Sequence, residues 1–230
     1  MWKSEQLSIL IISIALASLF WWLKGRLMKL EPGKTPTGVV FLVVLYVRTI
    51  HNFVEASMGK KRAPLLSAYI GFVFLYLIIS NYSGLIGLKP PTANWSVTFT
   101  FALITFVWIQ VAKIKVNGVK GYLKSFFEPI APFVIPNLFG TFAPLISMSL
   151  RLFGNVISGT IILNLVYSFT GWVSGLLPVV GKFNFLSLIV APWIHIYFDL
   201  FSGFLQAFIF ISLTSIFIAI EYQDEEVNYG

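Results

Sequence analysis

The 230-residue chain has no cysteine and only two histidines. The first absence removes disulfides, thiolate metal sites and cysteine nucleophiles, and the second leaves little from which to build a histidine metal cage. Charge is scarce too. Sixteen basic and nine acidic residues make up 11% of the chain, whereas a soluble domain carries about a quarter. So little polar surface cannot cover a water-soluble globule. A Gly-rich phosphate loop of the P-loop pattern is also missing, so the chain itself is expected to hydrolyse no nucleotide and to need no cofactor. What is abundant is apolar: 57% of residues are hydrophobic and the mean hydropathy is +0.86. Several apolar runs reach the roughly 20 residues that a helix needs to cross a bilayer. The reading is an all-α, polytopic membrane protein, with residues 1–230 forming one membrane domain.

The first expected span covers residues 7–23. A signal peptide is the competing reading, but no small-residue cleavage site follows. The run ends instead on Phe20-Trp21-Trp22, aromatics of the kind that gather at the membrane interface. Residues 37–62 begin apolar and then carry Arg48, His51 and Glu55 at i, i+3 and i+7, on one helical face. That pattern predicts an amphipathic helix lying at the interface. Further spans are expected at 65–88 and 95–112, joined by a tight Lys89-Pro90-Pro91-Thr92 connection. A basic stretch with Lys113, Lys115, Lys120 and Lys124, interrupted by Gly118 and Gly121, follows. That makes about five membrane-embedded helices once the last two are added.

Those last two differ from ordinary spans. From Ala131 to Ile220 the formal charges are Arg151, Lys182 and Asp199, and Gly181-Lys182-Phe183-Asn184 is the polar break. The segments 131–180 and 185–220 therefore read as a helical hairpin. The run from Trp193 to Ile220 would reach about 42 Å at ~1.5 Å per residue, against a hydrocarbon core about 30 Å thick. Both limbs are expected to be long and steeply tilted, with Pro144 as a possible kink in the first.

Placing the N-terminus outside puts eight Lys/Arg in the 24–62 region and four in 113–124 on the inside. Lys3, Lys89 and Lys182 remain outside. This asymmetry satisfies the positive-inside rule and leaves the C-terminus cytoplasmic. Orientation thus accounts for most of the net charge of +7, and no nucleic-acid partner is expected.

An ionisable residue inside the bilayer costs at least about 2.5–3.5 kcal/mol and is a functional hypothesis by default. Arg151 and Asp199 qualify. Guanidinium does not lose its proton in a protein, so Arg151 is a permanent positive charge. Its helical stripe reads Asn137, Thr141, Pro144, Met148, Arg151, Asn155, Ser158, Ile162, and Gly154 and Gly159 beside it would admit a close helix. The competing reading is an arginine that snorkels to a headgroup. Asp199 lies on a stripe of His195, Asp199, Ser202 and Gln206. It can be a structural partner of His195 one turn away, a member of a proton path through both groups, or both. A Ser-His-Asp hydrolase fails on geometry, because the three residues sit on one helix.

The blocks Ser149-Leu150-Arg151-Leu152-Phe153-Gly154-Asn155 and Leu205-Gln206-Ala207-Phe208-Ile209-Phe210, about fifty residues apart, resemble subunit a of the rotary ATP synthase membrane sector, bacterial type. Pro91-Thr92-Ala93-Asn94 and the Lys113-Ile114-Lys115 loop extend the resemblance over nearly the whole chain. It implies a proton-translocating stator subunit with no catalytic site of its own, multi-pass in a bacterial cell membrane. Its expected partners are the lipid bilayer, a rotor ring of subunit c, the peripheral-stalk subunit b, and protons or Na⁺. By the resemblance, the hairpin lies against the ring, Arg151 faces the ring carboxylate between two aqueous half-channels, and Asn155 and Gln206 occupy the family's polar positions. This chain departs at Thr160, where many members carry an acid or histidine, and at Asp199, where others have histidine or glutamate. A position that is sometimes acidic is Asn137. Asp199 and His195 are then the titratable channel pair. The alternative is a stand-alone ion-coupled transporter or channel; such proteins often show internal repeats, and none is visible here.

Overall fold

The computed structural model describes residues 4–28, 37–128, 130–176 and 184–228. They form helices α1 (Ser4–Leu27), α2 (Val39–Met58), α3 (Ala63–Tyr82), α4 (Trp95–Ser125), α5 (Val134–Gly175), α6 (Phe185–His195) and α7 (Gly203–Asn228). A π-helix, Ile196–Ser202, joins α6 to α7. No strand occurs among the described residues. The Gly181-Lys182-Phe183 turn, and with it Lys182, lies outside them.

Six helical segments among these residues are long and apolar enough to cross a membrane. In a bilayer the backbone polar groups must be satisfied within the segment, which is what a helix does. Their outward faces carry many large apolar side chains, including Trp21, Phe139, Trp172 and Trp193, a surface that suits lipid and not water. Val39–Met58 is among the six, so α2 has the length of a span as well as a polar stripe. It buries Ile50, Val54 and Met58 in a cluster that also holds Leu66 and Ile70 of α3 and Ile211 and Ile218 of α7. His51 Nδ1 lies 3.1 Å from Ser67 Oγ on α3. Glu55 stands 3.8 Å from His51 and 4.0 Å from Lys60.

The centre of the molecule is where α3, α4, α5 and α7 meet. Val73, Leu77, Ala102, Leu145, Met148, Leu152, Ala207 and Phe210 form one buried cluster. Lipid tails are as apolar as these side chains, so close packing holds the helices together, and small residues permit it. Gly203 is one such point: a Cβ there would come within 3.0 Å of the Asn81 Cβ.

The 42 residues of α5 extend about 63 Å at ~1.5 Å per residue. The run Phe185–Tyr222 has 38 residues and extends nearly as far. Neither can stand upright within a layer about 30 Å thick; each must incline strongly or project. Asn184 clips the two limbs together. Its Oδ1 accepts from the Ser187 backbone N–H, capping α6, and its Nδ2 donates to the Tyr167 carbonyl and Thr170 Oγ1 on α5, both at 3.2 Å.

The expected span at 95–112 continues as helix through the basic stretch to Ser125, with a break at Gly118 (φ 68°, ψ 166°). That backbone region is essentially open only to glycine. The Tyr122 hydroxyl donates to Gln110 Oε1 across the break at 2.9 Å. Gly118→Ala is expected to cost about 1–3 kcal/mol, seen as a lower unfolding temperature of the detergent-solubilised protein, although open space surrounds the position.

Candidate functional site

Arg151 lies in the middle of α5, and its side chain is exposed. Neighbouring positions bury Met148, Ser149 and Leu152 against the core, which turns Arg151 to the side that this chain leaves uncovered. Only 11% of the most apolar stretch of α5 is buried, against 50% for Phe185–Tyr222. The stripe expected from sequence therefore divides. Met148 is 1% exposed, and Asn137 spends its amide on the end of α4, donating to the Phe126 and Glu128 carbonyls at 3.0 and 2.8 Å. Gly159 borders Phe198, whose ring a Cβ would meet at 3.4 Å, whereas nothing lies near Gly154.

The His195–Asp199–Ser202–Gln206 line is bent by the π-helix. The i→i+5 pattern winds more slowly than an α-helix and often marks functional sites. Pro192, inside α6, removes a backbone donor just before it. His195 Nδ1 lies 2.5 Å from Asp199 Oδ2, so the structural pairing is present. On the other ring edge, His195 Nε2 lies 2.9 Å from the Tyr167 hydroxyl of α5. Ser202 points across to α5 and donates to Asn155 Oδ1 at 2.7 Å. Gln206 is 7% exposed, and its Nε2 has no hydrogen-bond partner among the described residues. The Thr160 hydroxyl donates to the Val156 carbonyl at 2.9 Å.

Two cavities flank Arg151 along α5. One, about 240 Å³, is lined by Asn155, Gly159 and Thr160 of α5, by His195 and Asp199, and by Asn81, Lys89 and Pro90. The other, about 360 Å³, is lined by Asn137, Gly140, Thr141 and Pro144 of α5, by Gln110 and Lys113 of α4, and by Glu221 of α7. From Pro144 to Asn155 is about 16 Å at ~1.5 Å per helical residue, and Arg151 stands in that interval without lining either cavity.

Sequence reading missed Asn81 and Tyr167, and took Thr92 only as part of a tight connection and of the Pro91-Thr92-Ala93-Asn94 match. Asn81 is buried; its Nδ2 donates to the Gly203 carbonyl at 2.9 Å, and its Oδ1 accepts from Thr92 Oγ1 at 3.0 Å. This ties α3 and the Pro91–Ala93 turn to the point where π-helix returns to α-helix. A buried asparagine in an apolar run was the available clue. Tyr167 had none, because a tyrosine in such a run looks like packing.

These features define an α-helical membrane protein with ionisable side chains set between long helices. Residues 7–219 match the family model for the ATP synthase A chain. The chain is 35% identical over 222 residues to ATP synthase subunit a of Mycoplasmoides gallisepticum, covering 90% of this chain and 74% of that one. It is 34% identical to the subunit a of Mycoplasma pneumoniae, with the same coverage. It is also 35% identical over 204 residues to the sodium-ion-specific subunit a of Propionigenium modestum, covering 79% of this chain and 64% of that one. The chain belongs to the ATP synthase A chain family.

Asn81→Ala should leave the Gly203 carbonyl without its donor and remove a clamp on the π-helix. A loss of about 1–3 kcal/mol is expected, measured as a fall in thermal stability, with a smaller fall for Thr92→Ala.

Proposed function

We propose that Arg151 is the fixed charge of a proton-translocating stator subunit of the ATP synthase, set between two aqueous half-channels and against a ring of subunit c. The observation that carries this reading is the placement of two cavities, each with polar side chains in its wall, on either side of an exposed Arg151 along one helix. Among the described residues no carboxylate pairs with Arg151, so the guanidinium is available to an acid on another chain. The sparse burial of α5 supports a large partner on that face, and family membership implies an assembly containing ring and peripheral-stalk subunits.

The chemistry follows from charge. A ring carboxylate must be neutral to pass through lipid, because a buried ion is costly. Near Arg151 its ionised form is favoured, since an opposite charge at a few ångströms lowers a carboxylate pKa by about 1–3 units. The proton leaves into one cavity, and the site reloads from the other before re-entering lipid. Arg151 also repels a proton moving straight between the cavities. Each elementary charge crossing gains about 2.3 kcal/mol per 100 mV, and the rotor draws on it. By the positive-inside rule, the cavity beside Lys89 opens outside and the one beside Lys113 and Glu221 opens to the cytoplasm.

On the outer side, His195 and Asp199 are the titratable pair, Ser202 and Asn155 hold the two long helices in register, and Thr160 orders water without changing charge. Gln206, with a buried amide nitrogen that has no partner among the described residues, is a donor for ordered water within the helix assembly.

Arg151→Ala should reduce proton-driven ATP synthesis in membrane vesicles to background while the complex still assembles; synthesis at the normal rate would refute the mechanism. Asp199→Asn should slow proton conduction about tenfold or more, read as fluorescence-dye quenching in the same vesicles. Conduction unchanged by that substitution would make Asp199 a packing residue.

A further inference from the structure

We propose that Tyr167 is the outermost member of a three-group proton relay, Tyr167–His195–Asp199, which delivers protons from the hairpin end of the molecule to the 240 Å³ cavity. This rests on the translocation reading above and names a residue that neither the sequence motifs nor the family resemblance assigns to the path.

Two links carry it: the Tyr167 hydroxyl 2.9 Å from His195 Nε2, and His195 Nδ1 2.5 Å from Asp199 Oδ2. The imidazole thus has one nitrogen on each neighbour. Neutral imidazole carries one N–H and one lone pair. With the proton on Nδ1, His195 donates to the carboxylate and accepts from the phenol. The three groups are therefore connected end to end without a gap that water must fill. The relay also points the right way. Asp199 and His195 line the cavity, whereas Tyr167 stands one turn from Thr170, in the stretch of α5 that Asn184 clips to the start of α6. Tyr167 is 38% exposed, so its hydroxyl is open to a donor from outside.

One transfer balances as follows. A proton donor at the outer surface, a buffer acid or hydronium, gives a proton to the Tyr167 oxygen as the tyrosine proton passes to His195 Nε2. The Nδ1 proton passes to Asp199 Oδ2. The result is the donor's conjugate base released, Tyr167 and His195 both neutral, and Asp199 converted from carboxylate to acid. Rotation of the hydroxyl and imidazole restores the starting tautomer after Asp199 hands its proton on. The ionisable groups around His195 are Asp199 on the adjoining π-helix, Tyr167 from α5 and, at the cavity wall, Lys89 from the α3–α4 connection. From α3, Tyr82 packs beside Gly203.

Tyr167→Phe keeps the ring and removes the hydroxyl. The test uses the whole ATP synthase in vesicles, with conduction measured against outer pH and the amount of assembled subunit measured in parallel. With the relay, a buffer acid too large to reach His195 can load the Tyr167 hydroxyl; without it, protons must reach His195 directly as hydronium, whose concentration falls tenfold per pH unit. The expected result is a deficit that is small at pH 6 and grows to roughly tenfold at pH 8. In a His195→Ala background, Tyr167→Phe should add nothing, because the wire is already cut. A deficit equal at every pH, an additive effect in the double variant, or wild-type conduction by Tyr167→Phe would each overturn the relay. Should Tyr167→Phe impair assembly, Tyr167→Trp, which restores ring bulk and donates N–H but cannot accept and pass on a proton, gives the same pH-dependent deficit or refutes the proposal. Arg151→Ala run alongside separates the two levels: if it conducts and synthesises normally, the translocation reading fails and not merely the relay.

Discussion

A guanidinium cannot shed its proton, and a hydrocarbon layer gives a bare charge no counter-ion. Arg151 brings these two facts together, and much of the surrounding architecture follows from how the chain resolves them. A Lys at this position could escape by deprotonating; Arg151 cannot. Its charge must therefore be met by water or by a carboxylate supplied from elsewhere. The helix that carries it buries the flanking Met148, Ser149 and Leu152 and leaves Arg151 exposed, so the charge is presented outward by a well-packed support.

That support needs unusual geometry. Helices of 42 and 38 residues cannot stand upright in a layer of about 30 Å, and inclined helices present a long side to a neighbour where upright ones present a short one. The inclined pair is held at definite points: Asn184 near the hairpin end, the Ser202–Asn155 bond next to Arg151's turn, and the Asn81–Gly203 bond behind the π-helix. Each is a polar contact within an apolar assembly, where dispersion alone would allow sliding. Positions along the two helices are thereby fixed relative to each other, which a site divided between them requires.

Composition and spacing made the helical membrane class, the two charged positions and the over-long limbs legible, because each depends on residue type along one segment. What stayed hidden depends on contacts between segments or on helix type. The π-helix at Ile196–Ser202 has no residue code, so an α-helical wheel drew Asp199, Ser202 and Gln206 as one straight stripe. In space Ser202 reaches α5 while Gln206 is buried. The third span was expected to close at 112 and its helix instead runs on to Ser125, because a single glycine, Gly118, can take φ 68° and let the helix resume. Asn137 looked like part of a polar stripe shared with Arg151, yet its amide caps the end of α4, a bond set by a turn that periodicity does not describe.

The departures at Thr160 and Asp199 also follow from the local geometry. A channel acid works only if its charge is affordable and its proton can move on. Thr160 satisfies its own hydroxyl on Val156 and needs no counter-charge. Asp199 has His195 beside it, and an imidazole can supply both a hydrogen bond and a positive charge. Moving the acid from α5 to the π-helix keeps one carboxylate on the same cavity but places it next to a base on its own segment. A proton taken up by the pair raises its charge by one whichever member holds it, and it can pass between the two along their hydrogen bond. A lone acid at position 160 would have faced the cavity with the permanent charge of Arg151 nine residues away on the same helix. Under the proposed mechanism the substitution pattern is a relocation of the titratable function, to a place where His195 meets Tyr167 and Ser202 of the π-helix meets Asn155.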